Sequence, residues 1–133
     1  MRDVASFEAQ LTGEVLVVDD SAQLLDITQA MLTKLGCRVG CRAHPRQALD
    51  YIAEQPGQVA SMITDQSMPE MSGMDLIREV AALPSAPACV LMTGAHVPTR
   101  MDEYTAQGIS AVLPKPFLLA DLQALLSQLV SIT

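Results

Sequence analysis

The chain has 133 residues, half of them apolar, which is enough for one compact domain with a core that needs no disulfide staples. Fifteen acidic against eight basic residues give a net charge of −7, which excludes the clustered Lys/Arg surface that a nucleic-acid partner requires. No apolar run approaches the roughly 20 residues that span a bilayer, and the N-terminus lacks a basic-then-apolar leader pattern, so the expected location is cytoplasmic without membrane contact.

Residues 1–13 show no period and are expected to be a tail or linker, leaving 14–133 as the domain. The run Glu14-Val-Leu-Val-Val18 is apolar and β-branched, predicting a strand that ends at Asp19-Asp20-Ser21. A helix follows, with Leu24, Ile27, Met31 and Leu35 as its apolar stripe, Ser21 as N-cap and Gly36 as its left-handed stop. Strands are then predicted at 38–41, 61–64, 88–92 and 111–113, and helices at 45–54, 74–82, 98–107 and 118–131. Short apolar strands alternating with amphipathic helices indicate an α/β fold, a parallel sheet with helices on both faces joined by right-handed crossovers.

Three cysteines, Cys37, Cys41 and Cys89, are an odd set unlike a secreted disulfide framework. On one strand, Cys37 and Cys41 would stand roughly 13 Å apart, beyond disulfide reach. Cys37, Cys41 and His44 lack a second ligand pair for zinc, so strand packing and free thiols are expected. Met68, Met71 and Met74 read as core filler, and His96 as a solvated loop residue.

In an open parallel sheet, functional groups gather beyond the carboxyl ends of the strands. The first strand delivers Asp19 and Asp20 there, the third Asp65, the fourth Thr93, and the fifth Lys115 followed by Pro116. Three converging carboxylates repel one another unless a cation neutralises them, and a hard divalent ion such as magnesium suits oxygen ligands of this kind. An Asp carboxylate beside such an ion can act as a nucleophile toward phosphorus, with Lys115 supplying positive charge and Thr93 a hydrogen bond to a phosphoryl oxygen.

Val17-Val18-Asp19-Asp20, Thr64-Asp65 with Met68-Pro69 and Gly73, Met92-Thr93-Gly94, and Lys115-Pro116-Phe117 stand in the order and spacing of a known family. From Val15 through Leu129 the chain resembles the response-regulator receiver domains of two-component signalling. The resemblance implies a five-stranded flavodoxin-like sheet in the order 2-1-3-4-5, with a cis peptide at Lys115-Pro116. It implies that Asp65 is the phosphoacceptor and that Asp20 binds magnesium, or manganese in its place, directly. Asp19 would act largely through a water, and the backbone carbonyl of Ser67 would complete the protein's metal ligands. Lys115 would pair with Asp65 or its phosphoryl group, and Thr93 would move toward that group and relay its presence to the surface.

The implied donor is a histidine kinase or histidine phosphotransfer protein. A homodimer or kinase-docking face is implied at the fourth predicted helix, the fifth strand and the leucine-rich last helix. The chain is then a signalling module in a phosphorelay and not an enzyme.

Ile63-Thr-Asp-Gln-Ser-Met-Pro69 and Met92-Thr-Gly-Ala95 are similar to receivers at the C-terminus of hybrid histidine kinases. Two departures from the family pattern are Val112, where an aromatic switch residue often stands, and the small Ser67 and Ala95 at positions that influence acyl-phosphate lifetime. A flavodoxin-like cofactor binder fits poorly, because Asp19-Asp20 would repel a phosphate at the first strand end. An Asp-nucleophile phosphatase of the haloacid-dehalogenase type needs a second Asp two residues on, where Ser21 and Ala22 stand. The alternative is a degenerate receiver, a protein-binding module independent of phosphorylation.

Overall fold

The computed structural model describes residues 13–94 and 105–132, the last three without side-chain detail. The elements in chain order are β1 (Glu14–Val18), α1 (Ala22–Lys34), β2 (Arg38–Arg42), α2 (Pro45–Glu54), β3 (Val59–Asp65), α3 (Gly73–Ala81), β4 (Ala88–Thr93), β5 (Ala111–Pro114) and α4 (Leu119–Ile132). All strand pairings are parallel, and the sheet order is β2-β1-β3-β4-β5, the order expected. Of the helix predicted at 98–107, residues 98–104 lie outside the described residues, as do the predicted tail at 1–12 and the readings made at Ala95 and His96.

Two-residue alternation along the strands divides the core into two layers. Val15, Val17, Ile63, Val90 and Met92 face α1 and α4, meeting Leu25, Leu32, Leu122 and Leu126. Leu16, Val18, Met62, Cys89 and Leu91 face α2 and α3, meeting Ala48, Ile52, Leu76 and Ile77. Each fully buried side chain of this kind contributes about 1.5–3 kcal/mol relative to exposure, which is why both sheet faces must be covered. Met74 is buried, with Met68 and Met71 packed against the same layer, as expected of core filler. The three cysteines are free, Cys37 and Cys89 buried and Cys41 half-buried, and Cys37, Cys41 and His44 form no metal-ligand cluster among the described residues. No helix among the described residues is long and apolar enough to cross a membrane.

The first helix forms as predicted: Ser21 Oγ accepts from the Leu24 N–H, and Gly36 adopts φ 91° just past its end. Its buried face agrees with the predicted stripe at Leu35 and in part at Met31, but not at Leu24 and Ile27. Leu25, Thr28, Leu32 and Leu35 are buried, whereas Leu24 is 38 % and Ile27 48 % exposed. Two stripes with helical spacing overlap on this helix, and hydropathy favoured the one that lacks a threonine.

Candidate functional site

The site lies beyond the carboxyl edge of the sheet, and each strand holds its residue there by backbone pairing. The Asp19 N–H donates to the Arg42 carbonyl at 3.2 Å, extending the β1–β2 ladder by one residue beyond Val18. Asp65 is the last residue of β3, opposite Met92, and the next N–H, of Gln66, donates to the Met92 carbonyl at 3.0 Å. Thr93 ends β4, and its carbonyl accepts the Lys115 N–H at 2.9 Å. The Lys115–Pro116 peptide is cis.

Four of the sequence-predicted side chains meet directly. Carboxylate oxygens of Asp19, Asp20 and Asp65 all lie within 4.8 Å of one another. The Lys115 ammonium sits 2.7 Å from Asp65 Oδ1 and 3.6 Å from Asp19 Oδ2. Asp19, Asp65 and Thr93 are buried, and Asp20 is exposed at the rim. Burial pushes the Asp19 carboxyl above its ordinary range, opposed by the Ser21 N–H that it accepts at 3.0 Å and by Lys115, and reinforced by the Asp65 and Asp20 charges.

Three acidic groups against one ammonium leave the cluster short of positive charge. The donors are hard oxygens, one pair deep and one at the mouth, with waters able to reach Asp20. This set fits a small divalent cation such as magnesium and offers nothing to a thiophilic metal.

The segment after Asp65 is fixed from both ends. Thr64 Oγ1 donates to the Asp65 carbonyl at 3.0 Å. Gly73 opens α3 so close to that carbonyl that an added Cβ would collide with its oxygen and come within 2.9 Å of Leu91 Cδ1. Ser72 and Asp75 form a reciprocal capping box at the same helix start. Gln66 was not singled out from sequence, yet its side-chain oxygen accepts the Met74 N–H at 2.9 Å. A polar residue next to a strand-end Asp is an available signal, but only the fold shows which N–H it meets.

A second feature missing from the sequence reading is an apolar groove of about 350 Å³ beside the carboxylates. Leu24, Ile27, Met31 and Phe117 form its wall, and Asp19 and Lys115 form its inner end. Leu24 and Ile27 of α1 therefore border the site instead of filling the core.

Comparison with known proteins agrees with this geometry. Residues 15–127 match the response regulator receiver domain family. The two-component response regulator ORR7 of Oryza sativa subsp. indica is 34 % identical over 119 residues, covering 87 % of this chain and 55 % of the rice protein, so the chain spans about half of that relative. A response regulator receiver domain protein from Clostridium thermocellum superposes with a TM-score of 0.79 at 25 % identity, covering 90 % of this chain and 95 % of that one. The receiver domain of sensor histidine kinase PA1611 from Pseudomonas aeruginosa PAO1, whose structure has a magnesium ion coordinated in the active site cleft, gives a TM-score of 0.77 at 26 % identity over 90 % of this chain and 98 % of that one. With five parallel strands in the receiver order and the family match over residues 15–127, the chain belongs to the response regulator receiver domain family of two-component signalling.

Proposed function

We propose that this domain accepts a phosphoryl group on Asp65 from a phosphohistidine of a histidine kinase or phosphotransfer protein and presents a changed surface to its target. The observation that carries this reading is the Lys115 ammonium held 2.7 Å from Asp65 Oδ1 beside two further carboxylates. In the transfer, an Asp65 carboxylate oxygen forms a bond to phosphorus while the phosphorus–nitrogen bond of the donor breaks, its electron pair returning to the imidazole. Asp20, Asp65 and the Ser67 backbone carbonyl would hold a magnesium or manganese ion directly, with Asp19 acting through a water. When bound, that ion supplies charge neutralisation for the incoming phosphoryl oxygens.

Lys115 moves from a carboxylate partner to a phosphoryl partner without leaving the site, because its ammonium is a point charge on a flexible stem. Thr93, buried at the adjacent strand end, offers its hydroxyl to a phosphoryl oxygen. Phosphorylation adds charge where three carboxylates already crowd, and the added charge shifts a pre-existing equilibrium between surface states. The product is a signal and not turnover.

A phosphohistidine borne by a protein reaches Asp65 only if that protein covers the rim of the site. The apolar rim is the exposed Leu24 and Ile27 with the half-buried Phe117, lining one groove with Asp19 and Lys115. The donor is accordingly expected to place an apolar helical face there. A contact of the chain with itself through β5 and α4 would instead use the far edge of the sheet, where Leu118 is 71 % exposed.

The deciding experiment is intact-mass analysis after incubation with acetyl phosphate and magnesium. A single adduct of one phosphoryl group, absent with a chelator and absent in Asp65→Asn, is the expected result. No adduct, together with no beryllofluoride binding, would leave the phosphorylation-independent binding module as the reading.

A further inference from the structure

We propose that Gln66 is a positioning residue that sets the metal-binding loop by clipping both of its ends to the phosphoacceptor strand. An α-helix begins with N–H groups that have no intrahelical acceptor, and at α3 all of them are accounted for. The Ser72 N–H goes to Asp75 Oδ2 at 3.3 Å, and the Asp75 N–H to Ser72 Oγ at 3.1 Å. The two between them go to a single residue outside the helix: the Gly73 N–H to the Gln66 carbonyl at 3.0 Å and the Met74 N–H to the Gln66 side-chain oxygen at 2.9 Å. The Gln66 N–H in turn donates to the Met92 carbonyl in β4 at 3.0 Å. One residue thus ties the end of β3, the end of β4 and the start of α3 together.

Between the two clipped ends runs the six-residue stretch 67–72, which begins with Ser67 and includes Glu70 at φ 72°, a left-handed conformation that costs a non-glycine residue. Such a stretch keeps its shape only if its ends are held. Ser67 is exposed and directly follows the clip, and its carbonyl, in the peptide shared with Met68, is aimed by a loop whose far end is set by where α3 starts. Loss of the side-chain acceptor leaves the Met74 N–H without its protein partner and lets α3 pivot on the remaining Gly73 bond. The carboxylates of Asp19 and Asp65 stay in place, because strand pairing at the ends of β1 and β3 holds them independently of Gln66's side chain. The effect falls on the carbonyl ligand. This inference rests on the reading of the Ser67 carbonyl as a metal ligand.

The test compares the full chain with Gln66→Leu, Gln66→Glu and Ser72→Ala, reading magnesium affinity by calorimetry and by the rise of Tm with magnesium concentration. Ser72→Ala removes a cap from the same helix turn without touching β3, so a merely structural role for Gln66 predicts the same behaviour in both. The expected result is a three- to tenfold loss of magnesium affinity in Gln66→Leu and no change in Ser72→Ala at comparable loss of Tm. Gln66→Glu keeps an acceptor of the same reach and should retain both magnesium affinity and the slow amide exchange of Met74. Unchanged affinity in Gln66→Leu, or an equal loss in Ser72→Ala, overturns the proposal while the receiver reading stands. A Gln66→Leu chain that does not fold leaves Gln66→Glu to decide, since fast exchange at Met74 in that variant also overturns it. Wild-type protein without magnesium-dependent stabilisation overturns the metal-site reading and this inference with it.

Discussion

Lys115 Nζ lies 2.7 Å from Asp65 Oδ1 although 50 residues separate the two, and the same ammonium lies 3.6 Å from Asp19 Oδ2. One cation therefore stands in for part of the charge that the site lacks. Replacing it has two opposite consequences. Lys115→Met leaves three carboxylates facing each other and should lower the stability of the metal-free domain by about 2 kcal/mol, given partial burial of the pair. The same change removes the competitor for those carboxylates, so magnesium affinity should rise several-fold. Urea denaturation with and without magnesium checks both, and a parallel fall in stability and affinity would contradict the account.

Asp19 illustrates the cost of keeping an acidic cluster ready for a cation. Burial, with the Asp65 and Asp20 charges and against Lys115, raises its carboxyl above the ordinary range, so the folded state holds that proton to higher pH than the unfolded chain does. At neutral pH the ionised group opposes folding, and the opposition is relieved as pH falls through the raised folded value. Asp19→Asn should therefore stabilise the metal-free domain at pH 7, where the wild-type carboxylate is ionised. That gain should shrink toward pH 4, and stabilisation by magnesium should weaken in the variant. Thermal melts across pH 4–8 provide the check.

Gly73 is predicted to be intolerant of any side chain. An added Cβ would collide with the Asp65 carbonyl oxygen and press on Leu91, and both are fixed parts of the sheet. Gly73→Ala should cost about 1–3 kcal/mol, the range for overpacking, even though alanine is the better helix former. A stability equal to or above wild type would show that α3 can back away from β3.

The apolar rim separates two kinds of donor. Ile27→Glu alters a side chain that is 48 % exposed and should change stability by no more than about 0.5 kcal/mol. It should leave labelling by acetyl phosphate untouched and slow transfer from a phosphorylated histidine protein by tenfold or more. Equal slowing of both would place the effect at the chemistry instead of at docking.

Cys89 makes an alkaline prediction. Burial pushes its thiol up to about 12 from an ordinary value near 9. Below that ordinary value both states are protonated and the full stability is present. Above it the unfolded chain ionises while the folded one does not, so stability falls as pH rises toward the folded value. Cys89→Ala should show a shallower decline in denaturation midpoint between pH 9 and 11. In thiol labelling at pH 8, the half-buried Cys41 should react first and Cys89 only on unfolding.

The sequence by itself determined the alternation of strands and helices, and with it the parallel sheet, because short apolar runs and helical spacing are local properties of the chain. It also determined which residues would sit at the strand ends: Asp19, Asp20, Asp65, Thr93 and Lys115 each end a strand or lie within two residues of its end, and parallel topology sends all those ends to one edge. Gly36 and Ser21 were legible for the same reason, since stops and caps act within one turn. What tertiary structure alone decided was orientation. Leu24 and Ile27 have helical spacing as good as that of Leu25, Thr28 and Leu32, and only docking on the sheet chose which set to bury. Gln66 could have pointed to solvent, and its use as the acceptor for Met74 follows from how closely α3 approaches β3 over Gly73. Contacts between elements depend on angles and distances that no local pattern encodes.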